Sequence, residues 1–282
     1  MIRREYHCLV AGLPDFVFDD KKAVLTPSEF KEILEESLHP ADFELVRYLF
    51  LTYDNQNTLS FLKIKKHEFQ DLGNYPVIDF EEEIVRQNSI LPEKPVLPEY
   101  ICRFIAAYRE STSIFEGLSW ENQLITLYYD HVLRCKNQFL RSWFEFELNI
   151  TNVFAAINSR NFRINPEDQI IGNSPVAIQL RKNQSKDFGL TVDFPLVEKL
   201  LQIASLPNII DRERSIDLLK WNWLDEMTFF HYFDIEKVIS YLIKLLIVDR
   251  WMKLDPATGQ KMFDHILSDI KKSHEFPEEF KI

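Results

Sequence analysis

The residues best placed for acid–base chemistry are Glu145 and Glu147, two positions apart in an aromatic-rich segment. They could act together as general acid and base only if both carboxyl groups faced the same substrate. Residues two positions apart on a helix point about 200° away from each other. A single helix therefore cannot bring these carboxyl groups together as one catalytic pair.

Nucleophilic and metal chemistry have few candidates. Cys135 lies between Arg134 and Lys136, and neighbouring positive charges lower the pKa of a thiol, but no histidine stands beside it to act as its base. The seven histidines are scattered without the spacing of metal ligands. Gly-x-Gly-x-x-Gly, phosphate-loop, Gly-x-Ser-x-Gly and His-Glu-x-x-His motifs are absent. We therefore predict no catalytic residue, no metal site and no cofactor.

The acidic and amide residues at positions 54–57, Asp-Asn-Gln-Asn, resemble the opening of a calcium loop. Such a loop requires Gly at its sixth position and Glu at its twelfth, and this chain has Leu59 and Lys65 there. Amide and carboxylate side chains are also common in turns. We predict a polar turn that caps the following helix.

Composition favours an all-α protein. The chain has 282 residues, of which 46% are hydrophobic and only 6 are Gly, the residue of tight hairpins and phosphate-binding loops.

The formal charge of −11 disfavours binding to nucleic acid and direct binding to an anionic membrane. Its cysteines form no Cys-x-x-Cys pair, which is typical of free thiols in a reducing cytoplasm. The most apolar run, residues 241–248, is shorter than the roughly 20 residues of a membrane span.

Residues 119–163 are the segment that must position the polar side chains. The segment contains neither Pro nor Gly, and its aromatic and aliphatic residues recur every three or four positions, so we predict one long helix starting at a Ser119 cap. Four polar residues interrupt this pattern, namely Glu147, Asn149, Asn152 and Arg160. Two interpretations are open: the four residues fix how helices dock, or they lie on a solvated face.

Caps, breaks and periodicity predict the other helices. They cover residues 26–38, with a capping box at Thr26 and Glu29, and residues 40–54, 81–88, 99–109, 195–204, 209–225, 234–251 and a last helix from residue 255. Residues 181–189 are polar and are predicted to be exposed and mobile. We divide the chain into an N-terminal helical lobe (1–75), an acidic Pro-containing connection (76–97) and a main helical body (98–282).

An aromatic cluster follows in residues 221–233. Its members could form a ligand cage, part of the core or an interface with another protein. The residues predicted as a candidate interface are Trp221, Trp223, Phe229 and Phe230.

The segment from Glu147 through Asn152 to Arg160 resembles the acidic-x-x-x-x-Asn-Ile motif, followed by a basic residue, of the central-stalk subunit of V-type and archaeal-type ATPases, called C in prokaryotes and d in eukaryotes. The segment starting with Asp234 and Glu236 resembles a degenerate second copy. The opening at residues 6–15 and the segment 143–149 are more closely similar to an uncharacterised bacterial family encoded among V-type ATPase subunits, where the C subunit is expected.

This resemblance implies a helical bundle of socket-like lobes that couples the central shaft, subunits D and F, to the proteolipid ring without chemistry of its own. It implies a cytoplasmic protein peripheral to the inner membrane, which meets the membrane only through partners. Two alternatives stay open. The chain could be a helical interaction or regulatory protein unrelated to the rotor, or an enzyme whose site would be a concave pocket with perturbed ionisable groups.

Overall fold

The computed structural model describes residues 4–18, 25–63, 69–89 and 94–254, and these ranges form an all-α, multi-helix protein, as predicted. No strand occurs within them. Apart from a short 3₁₀ helix at Pro166–Asp168, the described helices are α1 (His7–Gly12), α2 (Pro27–Ser37), α3 (Pro40–Lys63), α4 (Val77–Gln87), α5 (Glu99–Arg109), α6 (Trp120–Val132), α7 (Gln138–Phe162), α8 (Pro175–Lys182), α9 (Leu196–Ala204), α10 (Ile209–Met227) and α11 (Ile235–Lys253).

The chain divides into two compact units. The first unit combines Met1–Ser37 with Tyr232–Ile282, and the second is the continuous stretch Leu38–His231. The predicted segments 1–75, 76–97 and 98–282 place their boundaries elsewhere. Composition marks exposed linkers, whereas the two units are defined by packing between residues that are far apart in the sequence.

In the first unit, helix α11 packs against helix α2. Phe30 of α2 is fully buried, and its ring meets the ring of Tyr241 edge-on with 5.1 Å between centroids. The Tyr241 hydroxyl donates a hydrogen bond of 2.9 Å to the carbonyl of Pro14, and the Tyr6 N–H donates one of 2.6 Å to the carbonyl of Phe233. The segment at residues 6–14 and the segment at residues 233–241 are thus joined in this unit.

The second unit contains helices α3 to α10. Helices α3, α5 and α6 pack against one another, and α4 packs on α3. Helix α7 contacts α6, α8 and α9, and α9 contacts α10. Fully buried aromatic side chains fill this unit, among them Phe50, Phe80, Phe104, Phe144 and Phe188.

Residues 119–163 form two helices, so the prediction of one long helix is wrong. Helix α6 ends at Val132 and α7 begins at Gln138. Asn137 caps the new helix, because its side-chain oxygen accepts the N–H of Leu140 at 2.9 Å. An Asn side chain can hydrogen-bond to the backbone N–H groups that start a new helix. A break between two helices can therefore occur in a segment that contains neither Pro nor Gly.

The predicted polar turn at residues 54–57 is also wrong, since helix α3 continues to Lys63. Asp54 is fully buried there and accepts the backbone N–H groups of Asn74 at 2.7 Å and Tyr75 at 3.2 Å. Asn57 exchanges two hydrogen bonds with the backbone of Gln70, at 3.2 and 2.6 Å. Buried polar side chains are tolerated in this helix because the following loop provides their hydrogen-bond partners.

Local capping signals in the sequence are more dependable. The predicted capping box forms: the Thr26 N–H donates to Glu29 at 2.8 Å, and the Glu29 N–H donates to the Thr26 hydroxyl at 3.2 Å. Ser119 caps α6 as predicted. Helix α8 was not predicted, although Ser174 caps it and Pro175 occupies its first position. The predicted helix from residue 255 lies outside the described residues.

Within the described ranges, none of the helices combines the length and apolarity that a bilayer crossing demands. The apolar face of α11 is instead buried, as Val238, Ile239 and Leu242 show.

Candidate functional site

Asn152 of α7 is fully buried and holds the segment that follows the helix. Its amide nitrogen donates to the carbonyl of Ile171 at 2.8 Å, and its amide oxygen accepts the N–H of the same residue at 2.8 Å. A side-chain amide thus replaces the strand or helix partner that Ile171 lacks. Asn152 connects helix α7 to the segment leading into α8.

Arg160, two turns further along α7, holds the next loop. Its guanidinium donates to the carbonyls of Asn183 at 3.0 Å and Lys186 at 3.4 Å. It also stacks on the ring of Phe188, with 3.6 Å from Cζ to the ring centroid. The prediction of an exposed stretch at 181–189 therefore fails at Phe188, which is buried under this guanidinium.

Glu147 connects α7 to α10. Its carboxylate pairs with the Lys220 ammonium at 2.8 Å, and both side chains are about three-quarters buried, at 23% and 22% exposed. Lys220 Nζ also lies 6.0 Å from the centroid of the Trp143 ring. This ion pair adds a polar interaction to the aromatic contacts between α7 and α10.

Asn149 is buried, and its side-chain oxygen has no hydrogen-bond partner within the described part of the chain. It lies one turn from Asn152 on the same helix. The four polar residues of α7 are therefore not on a solvated face: three contact other elements and the fourth is enclosed.

The candidate interface divides into two groups. Trp221 is buried, and the Trp223 ring stacks on Phe146 with 4.9 Å between centroids and 15° between planes. Trp223 also contacts Trp143 and Phe139, at 5.6 and 5.9 Å. Trp221 is thus a core residue, and Trp223, which is half-buried, packs on the aromatic side chains of α7.

Phe229 and Phe230 form the other group. Their rings meet edge-to-face at 4.9 Å, yet the residues are 69% and 77% exposed. They lie just beyond α10, whose last residue is Met227 and whose C-cap is Thr228. Two adjacent exposed aromatic rings are an apolar surface of the kind that mediates contacts with other proteins. We call Phe229 and Phe230 the aromatic corner.

Asp234 and Glu236 lie in the first compact unit, whereas the α7 residues lie in the second. Asp234 is buried and caps α11 by accepting the N–H of Lys237 at 3.2 Å. Glu236 lies in the first turn of the same helix, where a negative charge is favourable.

Burial favours the neutral forms of Cys135 and His131. Burial raises the pKa of the Cys135 thiol. The His131 ring packs against Tyr100 and is stacked with Tyr48, and burial lowers its pKa. Glu145 is exposed while Glu147 pairs with Lys220, so these two carboxyl groups face different surroundings.

Comparison with known proteins gives a family and one distant relative. A family model described as "Protein of unknown function (DUF2764)" matches residues 3–274. An uncharacterized protein of Chlamydia muridarum (strain MoPn / Nigg) is 22% identical over 176 residues, which cover 60% of this chain and 63% of that protein. The match thus spans less than two thirds of that relative's length. No solved structure matches.

Proposed function

This chain belongs to the DUF2764 family of proteins of unknown function, and we propose that it is a non-catalytic helical adaptor subunit of a V-type ATPase or ATP synthase. In this role it couples the central shaft, subunits D and F, to the proteolipid ring. It would lie on the cytoplasmic side of the inner membrane and meet the membrane only through these partners.

The observation that carries the proposal is the aromatic corner. Exposing two neighbouring phenylalanine rings to water is unfavourable, since each would gain free energy by burial. Phe229 and Phe230 are nevertheless 69% and 77% exposed. A partner protein that covers them would recover this free energy, which makes the corner a natural anchor for an interface.

The corner is also attached to a braced helix. Helix α10 is fixed to α7 by the Glu147–Lys220 ion pair and by the stack of Trp223 on Phe146. A close-packed contact of this kind resists deformation. A subunit that transmits torque needs such stiffness between its partner-binding surface and its core.

The same corner supports a second candidate, a helical interaction protein unrelated to the rotor. An exposed apolar surface supports binding to a partner protein but does not specify which protein that is. The choice of the ATPase depends on the resemblance of the segment from Glu147 to Arg160 to the central-stalk subunit.

The test is a pull-down from native membranes with the tagged full chain as bait. The double variant Phe229→Ser/Phe230→Ser removes the corner, and Phe162→Ser is the matched control, because Phe162 is 72% exposed at the end of α7. We expect the wild type and the control to recover shaft subunits or the proteolipid ring and the double variant to lose them. Recovery of a different protein that also depends on the corner would establish the second candidate. Equal recovery of the shaft subunits or the ring by all three chains would reject the corner as the binding surface, and their absence from all three would reject the ATPase proposal.

A further inference from the structure

A cavity of about 240 Å³ lies at the end of helix α7 in the second unit. The last turns of α7, residues 164–166, helix α8 and the loop at residues 183–188 surround it. Leu180, Ile164 and Phe188 provide apolar wall, and Ser159, Arg160 and Arg163 provide polar groups. Its size suits a small molecule and not a polymer.

Two guanidinium groups line the cavity, and the carboxylate near Arg160, that of Asp187, forms no ion pair with it within the described residues. Arg160 donates to two carbonyls, which leaves three of the five guanidinium N–H donors free of protein partners. Arg163 is exposed, and none of the hydrogen bonds or ion pairs of the described residues involves its guanidinium. Burial lowers the pKa of Arg160, as expected of a charge that is incompletely compensated.

Asp187, the acidic residue near Arg160, forms its hydrogen bonds within its own loop. Asp187 accepts hydrogen bonds from the hydroxyls of Ser185 at 2.8 Å and Thr191 at 2.6 Å, and from the N–H of Gly189 at 3.2 Å. These bonds hold the pKa of its carboxyl well below the ordinary value. Asp187 thus organises the loop and forms no direct ion pair with Arg160 among the described contacts.

Ser159 provides an independent indication of a ligand. It is 3% exposed, and its hydroxyl has no hydrogen-bond partner within the described part of the chain. A buried hydroxyl without a partner is unfavourable and rare. Because Ser159 lines the cavity, an acceptor inside the cavity would satisfy it.

The backbone is strained at the same place. Among the described residues, three that are not glycine have a positive φ, and two of them, Arg163 and Phe188, line the cavity with φ of 56° each. Arg163 ends α7 at a position where Gly is the usual residue, with the N–H of Ile164 returning to the carbonyl of Ser159 at 2.9 Å. Strain of this kind concentrates at functional sites.

Cations near a helix C-terminus also offset the helix dipole, which would explain a positive charge there. That effect accounts neither for the unpartnered hydroxyl of Ser159 nor for arginine in a left-handed conformation. We propose that the cavity binds a small anion whose carboxylate or phosphate oxygens contact Arg160, Arg163 and the Ser159 hydroxyl. The apolar part of such a ligand packs on Leu180 and Phe188. This site is separate from the aromatic corner and from the proposed adaptor role.

The experiment measures the thermal midpoint of the full chain against increasing inorganic phosphate or butyrate, with ionic strength held constant by NaCl. Isothermal titration calorimetry with the same two probes gives the dissociation constant. The key variant is Arg163→Gly, which removes the guanidinium and gives the left-handed position its preferred residue. Arg103→Gln is the control, because Arg103 is exposed on α5, away from the cavity.

We expect a saturable rise of the midpoint for wild type and Arg103→Gln with at least one probe. Phosphate alone would identify a phosphate site, and butyrate alone a carboxylate site. Arg163→Gly should be as stable as wild type or more stable without the probe, and its dissociation constant should rise about tenfold or more. A response that is absent from wild type, or that Arg163→Gly retains in full, overturns the proposal.

Discussion

Asn152 and Ile171 exchange two hydrogen bonds of 2.8 Å across a stretch of 19 residues, and the Asn152 side chain is fully buried. One amide side chain thereby satisfies both backbone groups of a residue outside any helix. Helix α7 and the segment that leads into α8 are joined at this point.

Replacing Asn152 by Leu should therefore destabilise the protein. The change leaves the N–H and the carbonyl of Ile171 buried without partners, and we expect the free energy of unfolding to fall by about 2 to 4 kcal/mol. Urea denaturation measures the loss. Asn158→Leu is the control, since Asn158 is exposed on the same helix. Equal stability of Asn152→Leu and Asn158→Leu would contradict the role of the Asn152 amide.

Replacing Gly73 by Ala should disturb the polar contacts of helix α3. A Cβ atom at Gly73 would lie 2.7 Å from Asn57 Nδ2 and 2.9 Å from Asp54 Oδ1, and hydrogen bonds to the 70–75 loop hold both side chains. We expect a loss of about 1 to 3 kcal/mol in the free energy of unfolding. Gly12→Ala is the control, because nothing lies within 4 Å of its added Cβ. If Gly73→Ala were as stable as Gly12→Ala, the loop at residues 70–75 would have rearranged around the added Cβ without loss of stability.

Glu83 should make stability depend on pH. Burial alone would raise the pKa of its carboxyl, but hydrogen bonds from Arg86 and Gln87 outweigh burial and lower the pKa below its ordinary 4.5. A lowered pKa in the folded state stabilises the protein above pH 4.5, and this contribution is lost as pH falls through the lowered value.

Glu83→Gln should accordingly reduce the free energy of unfolding by about 1 to 3 kcal/mol at neutral pH. The difference from wild type should shrink steadily on acidification below pH 4.5. Denaturant titrations at a series of pH values provide the measurement. Glu82→Gln removes an exposed carboxylate from the same helix and serves as the control. A difference that is independent of pH would exclude the ionised Glu83 as its source.

The division of the candidate interface can be tested by truncating one member of each group. Trp223→Ala removes a ring that stacks on Phe146 and contacts Trp143, so we expect a loss of about 3 to 5 kcal/mol. Phe229→Ala removes a ring that is 69% exposed and should change stability by about 0.5 kcal/mol or less. Thermal denaturation distinguishes the two, and comparable losses would place Phe229 in the core.

Thiol labelling should separate the three cysteines. Cys8 is exposed and should react rapidly with a maleimide at neutral pH. Burial, together with the Glu83 carboxylate, raises the pKa of Cys102 to about 12, and burial raises that of Cys135, so both should react only after unfolding. Mass spectrometry of the native and urea-unfolded protein counts the labels. Rapid native labelling of Cys102 would reveal local opening of the α4–α5 contact.

The sequence predicted those features whose cause lies within a few residues. The capping box joins Thr26 to Glu29 across three positions, and the Ser119 hydroxyl accepts the N–H of Asn122 across the same distance. The buried role of Asp54 could not be predicted in this way, because its partners lie 20 and 21 residues further along the chain.

Residue type alone could not show which aromatic residues of α10 and of the segment after it are packed against α7 and which are exposed. Trp223 packs on Phe146, whereas Phe229 lies on the surface beyond the end of the helix, and helix ends depend on tertiary contacts. Asn137 did carry a readable signal. An Asn before an aromatic-periodic segment is a cap candidate even where neither Pro nor Gly marks a break.

The first unit combines two segments that are far apart in the sequence, so the ribosome synthesises them at different times. Phe30 emerges from the ribosome long before Tyr241 and the α11 surface that encloses it. The second unit is continuous from Leu38 to His231 and can fold while synthesis proceeds. During translation, the apolar face of helix α2 therefore stays uncovered until helix α11 has been synthesised.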